Sequence, residues 1–125
     1  MSIQVVNLAD KLASFTEQFA PRIVAEVNDT AVKLVKLQGP FLWHHHDVED
    51  ELFLVVRGEL HMAVREEGVE RQLTIRPGEF VMIPHGVEHQ PSADLETEVL
   101  LIEPRSTLNT GNVNNERTRQ NLERI

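Results

Sequence analysis

The 125-residue sequence contains no cysteine, which excludes disulfide bonds, thiolate zinc sites and a cysteine nucleophile together. No apolar run approaches the roughly 20 residues that a membrane-spanning helix requires. The first residues, Met1 to Gln4, carry neither a basic leader nor an apolar signal core, so we expect a cytoplasmic protein. Bases are also scarce: 12 lysines and arginines face 20 acids, and the net charge of −8 argues against nucleic acid as a partner.

The residues that are present suffice for one compact domain. Hydrophobic residues make up 41% of the chain and charged residues 26%, which is ordinary for a globular protein. The length leaves little room for a second domain. We therefore predict a single domain over residues 1–125, divided into an N-terminal helical segment (1–21), a β-barrel (22–104) and a C-terminal extension (105–125).

The periodicity of apolar residues changes from helical to alternating at Pro21. Between Asn7, the predicted N-cap, and Pro21, the apolar residues have the spacing of one helix face: Leu8, Leu12, Phe15 and Phe19. Beyond Pro21, short alternating runs are separated by turns rich in glycine, proline and asparagine, which predicts an all-β sandwich or barrel. The predicted strands are Arg22 to Val27, Ala31 to Leu37, Leu52 to Val56, Leu60 to Arg65, Gln72 to Ile75, Phe80 to Ile83, and Glu98 to Ile102.

The last stretch, Ser106 to Ile125, is rich in asparagine, threonine and arginine. Two interpretations stay open for it: a partly ordered tail, or a segment that packs over the barrel or over a partner subunit. Within it, the sequence predicts a weak helix from Asn115 to Arg124.

Three histidines and a glutamate form a candidate metal site. His44 and His46 are two positions apart, so on a strand both imidazoles point to the same face. Glu51 opens the next predicted strand, and His89 follows a turn much later in the chain. Three neutral imidazoles and one carboxylate suit a divalent transition metal ion. The alternative is that the run of histidines is a solvated surface cluster without function.

Two spaced patterns around these residues resemble the two motifs of the cupin family. The first is a glycine, His-x-His, a glutamate and a second glycine, at Gly39, His44, His46, Glu51 and Gly58. The second is a glycine, a proline, a glycine and a histidine, at Gly78, Pro84, Gly86 and His89. Together they cover about residues 36–103 and are similar to small single-domain bacterial cupins. The sequence departs from the family pattern in the spacing between Gly39 and His44 and in having Ala93 where an asparagine is usual.

The resemblance implies a single jelly-roll barrel, a homodimer, and a divalent metal held by His44, His46, Glu51 and His89. The metal would be Fe, Mn, Zn or Ni. The implied function is a metalloenzyme that acts on a small, polar, oxygen-rich substrate by dioxygenase-type or isomerase/lyase-type chemistry. The alternative is a non-catalytic sensor or binding protein for a small ligand. Neither a membrane nor a nucleic acid is expected as a partner.

Strand alternation predicts which side chains line the metal pocket. Leu42 would share the face of the two motif histidines, whereas Trp43 and His45 would point away, with His45 solvated or at a subunit interface. The remaining predicted lining residues are Phe53 and Val55, on the face of Glu51, and Phe80 and Met82, on the strand that leads to Pro84.

Catalysis would also need a proton-transfer group close to the metal. The candidates in the sequence are His61 and His85, with Glu88 as a further one. Asp47, Glu49 and Asp50 are interpreted as a solvated connector, with replacement of Glu51 as a ligand by one of them as the lesser alternative.

Overall fold

A computed structural model describes residues 2–125, which form one short helix and seven β-strands. The elements are α1 (Leu8–Ala13), β1 (Arg22–Val27), β2 (Thr30–Pro40), β3 (Glu51–Arg57), β4 (Leu60–Glu66), β5 (Val69–Ile75), β6 (Phe80–Ile83) and β7 (Glu88–Pro104). The predicted all-β jelly-roll architecture with a short N-terminal helix is confirmed. Within residues 2–125, no helix has the length and apolar character needed to cross a membrane.

The long strand β7 organises the barrel. Residues 88–92 pair with β4, and residues 97–104 pair with β2. Within the second stretch, residues 98–102 pair with β3 on their other side. The main sheet has the order β1-β2-β7-β3-β6, and β4 continues from β7 to β5 off this path. Because β7 belongs both to the main sheet and to the pairing with β4, the strands enclose one core of inward-facing side chains. Its members are Val35, Leu37, Phe53, Val55, Leu60, Met62, Val64, Ile75, Ile83, Ala93, Val99 and Leu101.

The N-terminal helix is shorter than predicted. Asn7 caps it as expected, since its side-chain oxygen accepts a hydrogen bond from the backbone N–H of Asp10 at 3.0 Å. The helix nevertheless ends at Ala13 rather than at Pro21. The chain beyond it runs along β2 instead, where the backbone N–H of Phe19 donates to the carbonyl of Lys36 at 2.8 Å. A continued helix would have kept that donor for itself, so pairing with β2 ends it.

The C-terminal segment packs on the barrel without forming a helix. The predicted helix from Asn115 to Arg124 is wrong, because this stretch consists of turns, bends and an isolated bridge from Arg124 to Ile23. The backbone N–H of Ile23 donates to the carbonyl of Glu123 at 2.8 Å, and the N–H of Ile125 donates to the carbonyl of Ile23 at 3.0 Å. Backbone pairing with the edge strand β1 therefore replaces the internal hydrogen bonds of a helix.

The prediction that Phe80 and Met82 of β6 line the pocket is wrong, because the register of β6 turns them outward. Phe80 and Met82 are exposed on the outside of the barrel, whereas Ile83 is buried in the core. The antiparallel pairing with β3 places Val81 opposite Phe53 and Ile83 opposite Glu51. Residues directly opposite each other share a face of the sheet, so the inward set on β6 is the alternate one.

Candidate metal centre

The four residues marked by the two sequence motifs converge inside the barrel. One ligand atom each from His44, His46, Glu51 and His89 lies within 4.8 Å of the others, and all four residues are buried. Glu51 is the first residue of β3, and His89 is the second residue of β7. Their burial rules out the interpretation of the histidine run as a solvated surface cluster.

The segment that carries the first two histidines differs from the predicted strand. Between Phe41 and Asp50 the backbone forms no regular strand, and His44 makes an isolated bridge with His89. The predicted alternation of side chains is nevertheless present. His44 and His46 are buried, whereas the ring of His45 is partly exposed and its Nε2 lies 3.0 Å from Oδ1 of Asp47.

Backbone carbonyls orient two of the imidazoles. Nδ1 of His44 lies 3.0 Å from the carbonyl oxygen of Leu42, and Nδ1 of His89 lies 2.9 Å from that of Val87. A carbonyl oxygen can only accept, so both Nδ1 atoms carry a proton and donate it. Each ring therefore presents Nε2 to the centre of the cluster, which is the orientation that a histidine ligand needs.

Two of these nitrogens lie within contact distance of the carboxylate of Glu51. Oε1 of Glu51 lies 3.0 Å from Nε2 of His89 and 2.9 Å from Nε2 of His46. In the neutral form of His89, with its proton on Nδ1, Nε2 and the carboxylate oxygen are both acceptors. Nε2 of His46 is buried and has no hydrogen-bond partner among residues 2–125. A metal ion would satisfy all three atoms, and so the residues fit one.

The protonation states also suit metal binding. Burial, followed by the neighbouring charge of His89, lowers the pKa of His44 to about 4, so this imidazole is neutral at pH 7. Burial opposes ionisation of Glu51, but the adjacent rings of His46 and His89 outweigh it and hold the pKa of Glu51 well below its usual range. A neutral imidazole and an ionised carboxylate are the forms that ligate metals.

A cavity with mostly apolar walls opens beside the cluster. The apolar lining residues are Phe19, Pro21, Val35, Leu37, Phe41, Phe53, Pro91 and Leu101, and the polar ones are His44, Glu51, Glu103 and Asn109. The rings of Phe19 and Phe41 stack with their centroids 5.2 Å apart. The space measures about 480 Å³ even when open solvent at its mouth is counted, so a ligand there must be small.

Of the other predictions about the pocket lining, that for Leu42 differs from the structure. Phe53 lines the cavity and Val55 is buried in the core, as expected for the face of Glu51. Leu42 is not among the lining residues, and the neighbouring Phe41 lines the cavity instead. Trp43 points away as predicted, since the guanidinium of Arg65 stacks on its ring 3.8 Å from the centroid.

The predicted proton-transfer residues lie elsewhere on the surface. Nε2 of His61 is 3.6 Å from both Glu59 and Asp94, and Nδ1 of His85 is 2.8 Å from Asp50. Neither histidine lines the cavity, so a catalytic role for His61 or His85 stays a prediction without support from position.

The acidic connector after His46 is solvated and engaged in other contacts. Asp50 accepts the backbone N–H of His85 at 2.8 Å, and Glu49 accepts the hydroxyl of Ser106 at 2.8 Å. Asp47, the third acid, is exposed beside His45. The structure therefore brings Glu51 alone of these four acids into the cluster.

The sequence patterns did not single out Glu103, which is buried in the cavity wall. It lies on β7 one residue beyond the predicted strand end at Ile102, and it continues the inward alternation of Val99 and Leu101. Extending the predicted strand by one residue past Ile102 would have included Glu103 in this alternation. Burial and then the charge of Glu51 raise the pKa of Glu103 well above its usual range, against the opposing effect of Lys33.

The C-terminal segment also contributes to the site. Asn109 lines the cavity, and the guanidinium of Arg117 stacks over the rings of Phe19 and Phe41 at 4.6 and 5.7 Å from their centroids. The backbone N–H of Asn112 donates to the carbonyl of His45 at 3.0 Å. Of the two interpretations of this segment, packing over the barrel is therefore the one that the structure shows.

Comparison with known proteins places the chain in a family. The cupin domain profile matches residues 33–103, more than half of the sequence, so the chain belongs to the cupin family. A solved cupin-2 domain protein from Shewanella frigidimarina is 44% identical, with a TM-score of 0.76 over 81% of this chain and 95% of that one. The uncharacterized protein YdbB of Bacillus subtilis is 32% identical over 70% of this chain and 74% of its own length.

An enzyme is also among the relatives. The 3-hydroxyanthranilate 3,4-dioxygenase of Bos taurus is 33% identical over 76 residues, which cover 59% of this chain. That match spans only 27% of the length of the bovine enzyme. The shared region therefore supports common membership of the cupin family, and the activity of the bovine enzyme belongs to a much longer chain.

Proposed function

We propose that this cupin binds a divalent transition metal ion through Nε2 of His44, His46 and His89 and Oε1 of Glu51. The observation that supports the proposal most strongly is the buried Nε2 of His46, which has no hydrogen-bond partner among residues 2–125 although it faces a carboxylate oxygen. An unsatisfied buried polar atom is costly, and an ion at the cluster centre would remove that cost.

The bound metal would serve an enzyme of the dioxygenase type. Fe(II) at this site would supply a redox centre for reaction of a substrate with O₂, and four protein ligands leave positions open on an octahedral ion. The similarity to a dioxygenase supports this choice over isomerase or lyase chemistry. The chain's own part would be to orient the imidazoles through Leu42 and Val87 and to exclude water with the aromatic walls.

The cavity walls revise the predicted substrate. A sugar derivative or a hydroxy acid would leave most of its polar groups without partners against Phe19, Phe41 and Phe53. A small molecule with an apolar body, such as a substituted aromatic ring, would bury its surface favourably there. Its oxygen atoms would face the metal cluster at one end of the cavity.

The second candidate function is binding without turnover. The positions of His61 and His85 favour it, because neither potential proton-transfer group lines the cavity. The two functions share the metal site and differ in whether an oxidised product forms.

The test of the proposed function is metal titration of chelator-treated protein with Fe(II) or Co(II), followed by oxygen-uptake assays with a panel of hydroxylated aromatic compounds. Wild type should bind one ion per chain, and His89→Ala should lower the affinity at least about 100-fold. His61→Ala is the matched control and should bind as wild type does. Equal affinity of His89→Ala and wild type would overturn the metal site. Metal binding without oxygen uptake by any compound would favour the non-catalytic function.

We also infer that the functional unit is a homodimer paired through the outer face of the main sheet. Phe80, Met82 and Ile102 are 62%, 47% and 38% exposed on this face. Leu52 lies opposite both Met82 and Ile102, and Phe80 is two residues from Met82 on the same face of β6, so the three exposed side chains form one continuous apolar patch. An apolar patch next to the edge strand β6 would be covered by the same patch of a second copy, as a two-fold interface requires.

A further inference from the structure

Two residues form the mouth of the cavity beside the metal cluster. Of the lining residues that the structure describes, Phe19 and Asn109 are partly exposed, whereas the others are buried. A molecule that reaches the interior from solvent therefore passes these two side chains. Phe19 precedes β1 in the chain and Asn109 belongs to the C-terminal segment, so the mouth lies between two stretches outside the regular strands.

Arg117 contacts both residues of the mouth. Its guanidinium stacks on the ring of Phe19 at 4.6 Å from the centroid, and its carbonyl accepts the side-chain N–H of Asn109 at 2.9 Å. The guanidinium also donates to the carbonyl of Pro40 at 3.1 Å and lies 5.7 Å from the centroid of Phe41. One arginine thus joins the C-terminal segment to the stacked rings of Phe19 and Phe41.

The guanidinium of Arg117 forms no ion pair with a carboxylate among residues 2–125. The other three arginines of the C-terminal segment each pair with an acid: Arg105, Arg119 and Arg124. The two rings and the carbonyl of Pro40 hold the charge of Arg117 instead. A cation–π contact at a partly exposed position is weak, so thermal motion breaks it readily.

The backbone of Phe19 is strained. Its φ of +58° lies in the left-handed region, which bulky side chains rarely adopt. Such a conformation persists only where neighbouring contacts hold it. Here the contacts are a hydrogen bond from its N–H to the carbonyl of Lys36 at 2.8 Å, the ring of Phe41 and the guanidinium of Arg117. Loss of the guanidinium therefore lets the stretch around Phe19 relax and its ring move from the mouth.

We propose that Arg117 is the latch of a gate at the cavity mouth, and that small molecules enter when its guanidinium leaves the rings of Phe19 and Phe41. In the closed state the latch holds Phe19 and the C-terminal segment together; in the open state the two separate. The gate sets the rates at which a molecule enters and leaves. The inference concerns access to the cavity, so it goes beyond the proposed function and does not depend on a bound metal.

The test uses the absence of cysteine from the chain, because a single introduced thiol then reports access to the cavity. Val35 lines the cavity at 6% exposure, and Val35→Cys keeps a small apolar side chain there. The probe is 4,4′-dithiodipyridine. The protein thiolate attacks its disulfide and forms a mixed disulfide, and the released pyridinethiolate takes up a proton to give 4-thiopyridone, which is measured by absorbance. Arg117→Gln in this background should accelerate labelling about 3- to 30-fold, as loss of a cation–π contact predicts.

Two controls separate the gate from other effects. Arg119→Gln removes a neighbouring guanidinium that pairs with Glu17 at 3.6 Å instead of stacking on the rings, so it should leave the labelling of Val35→Cys unchanged. Val64→Cys places the thiol in the core on β4, outside the cavity lining and at 2% exposure, and so it reports global unfolding. It should react more slowly, and at the same rate with and without Arg117→Gln. A nearby cation favours the thiolate, so loss of its charge works against the expected acceleration.

The outcomes decide between a gate and a structural contact. Faster labelling of Val35→Cys by Arg117→Gln, at an unchanged rate for Val64→Cys, would establish the gate. An unchanged rate for Val35→Cys would overturn it, and so would equal acceleration of both thiols, which is the result of general destabilisation. Leu101→Cys is a second reporter in the cavity wall, and it decides the question where Val35→Cys does not fold. Failure of the protein to bind a metal ion would overturn the proposed function and leave these rates unaffected, so the two failures are distinguishable.

Discussion

His44 and His89 exchange two backbone hydrogen bonds. The N–H of His44 donates to the carbonyl of His89 at 3.1 Å, and the N–H of His89 donates to the carbonyl of His44 at 2.9 Å. This closely paired geometry fixes the two imidazoles with ring centroids 4.4 Å apart, although the residues lie in different sequence motifs. The backbone therefore determines the distance between two of the proposed ligands before any metal binds.

Replacing His45 should not affect metal binding, whereas replacing its neighbour should. The side chain of His45 contacts Asp47 outside the cluster, and its backbone hydrogen bonds to Asn112 survive in alanine. His46→Ala should lower Co(II) affinity at least about 10-fold, because it removes a buried ligand nitrogen. Calorimetric titration of both variants measures the difference. Equal losses in the two variants would contradict the side-chain alternation seen here.

Gly111→Ala should lower metal affinity, although Gly111 lies far from the four cluster residues in the sequence. Gly111 has a φ of +57°, and a Cβ atom there would collide with the carbonyl oxygen of His45 and lie 3.0 Å from Cδ2 of His44. The variant should therefore displace the histidine segment. We expect it to lower the free energy of unfolding by about 1–3 kcal/mol through overpacking, and to lower Co(II) affinity as well.

The control for this variant is Gly68→Ala. Gly68 also has a positive φ, +77°, but an added Cβ would meet nothing within 4 Å. Both variants share the backbone strain, so the difference between their urea unfolding curves isolates the collision. Identical losses in the two variants would show that the contact between Gly111 and His45 does not constrain the site.

The metal-free protein should lose a contribution of His44 to stability as the pH falls from 6.5 to about 4. The pKa of His44 is about 4 in the folded protein and 6.5 for an unperturbed imidazole, so the unfolded chain takes up the proton first. The full contribution is present above pH 6.5, and about 3 kcal/mol of the free energy of unfolding is lost by pH 4. Urea unfolding of dialysed wild type and His44→Gln at several pH values measures it.

The free energies of unfolding of wild type and His44→Gln should depend on pH with different slopes. The raised pKa of Glu103 favours folding as the pH falls, but it does so in both proteins and cancels in their difference. The stability advantage of wild type over His44→Gln should therefore shrink steadily below pH 6.5. Parallel curves across that range would contradict a lowered pKa for His44.

The proposed dimer should dissociate when a charge enters the exposed sheet face. Phe80→Glu introduces a carboxylate into the apolar patch, where burial against a second copy would be unfavourable. Sedimentation velocity should show a dimer for wild type and a monomer for this variant. Val69→Glu is the control, because Val69 is equally exposed, at 61%, but lies on β5 away from the patch. A monomeric wild type, or a Phe80→Glu variant that remains dimeric, would refute this interface.

The sequence alone determined the class of fold and the four members of the cluster. Alternating apolar residues separated by glycine and proline turns specify short strands, and this signal is local, so β1 and β6 were predicted with their observed ends. The four candidate ligands were recognisable because His44, His46, Glu51 and His89 stand within two spaced motifs. Residue type and spacing are properties of the chain itself.

Tertiary structure decided which faces of these elements meet and which free backbone groups find partners. The register between β3 and β6 turned Phe80 and Met82 outward, since a shift of one residue reverses every side chain of a strand. Pairing of Phe19 with β2 and of Ile125 with β1 ended one predicted helix and prevented another. Glu103 became a cavity residue only because β7 continues two residues past the predicted end at Ile102 and places it inside the barrel beside Lys33. The register and the two backbone pairings depend on contacts between segments far apart in the chain, which no local pattern encodes, whereas Glu103 follows from the alternation along β7 itself.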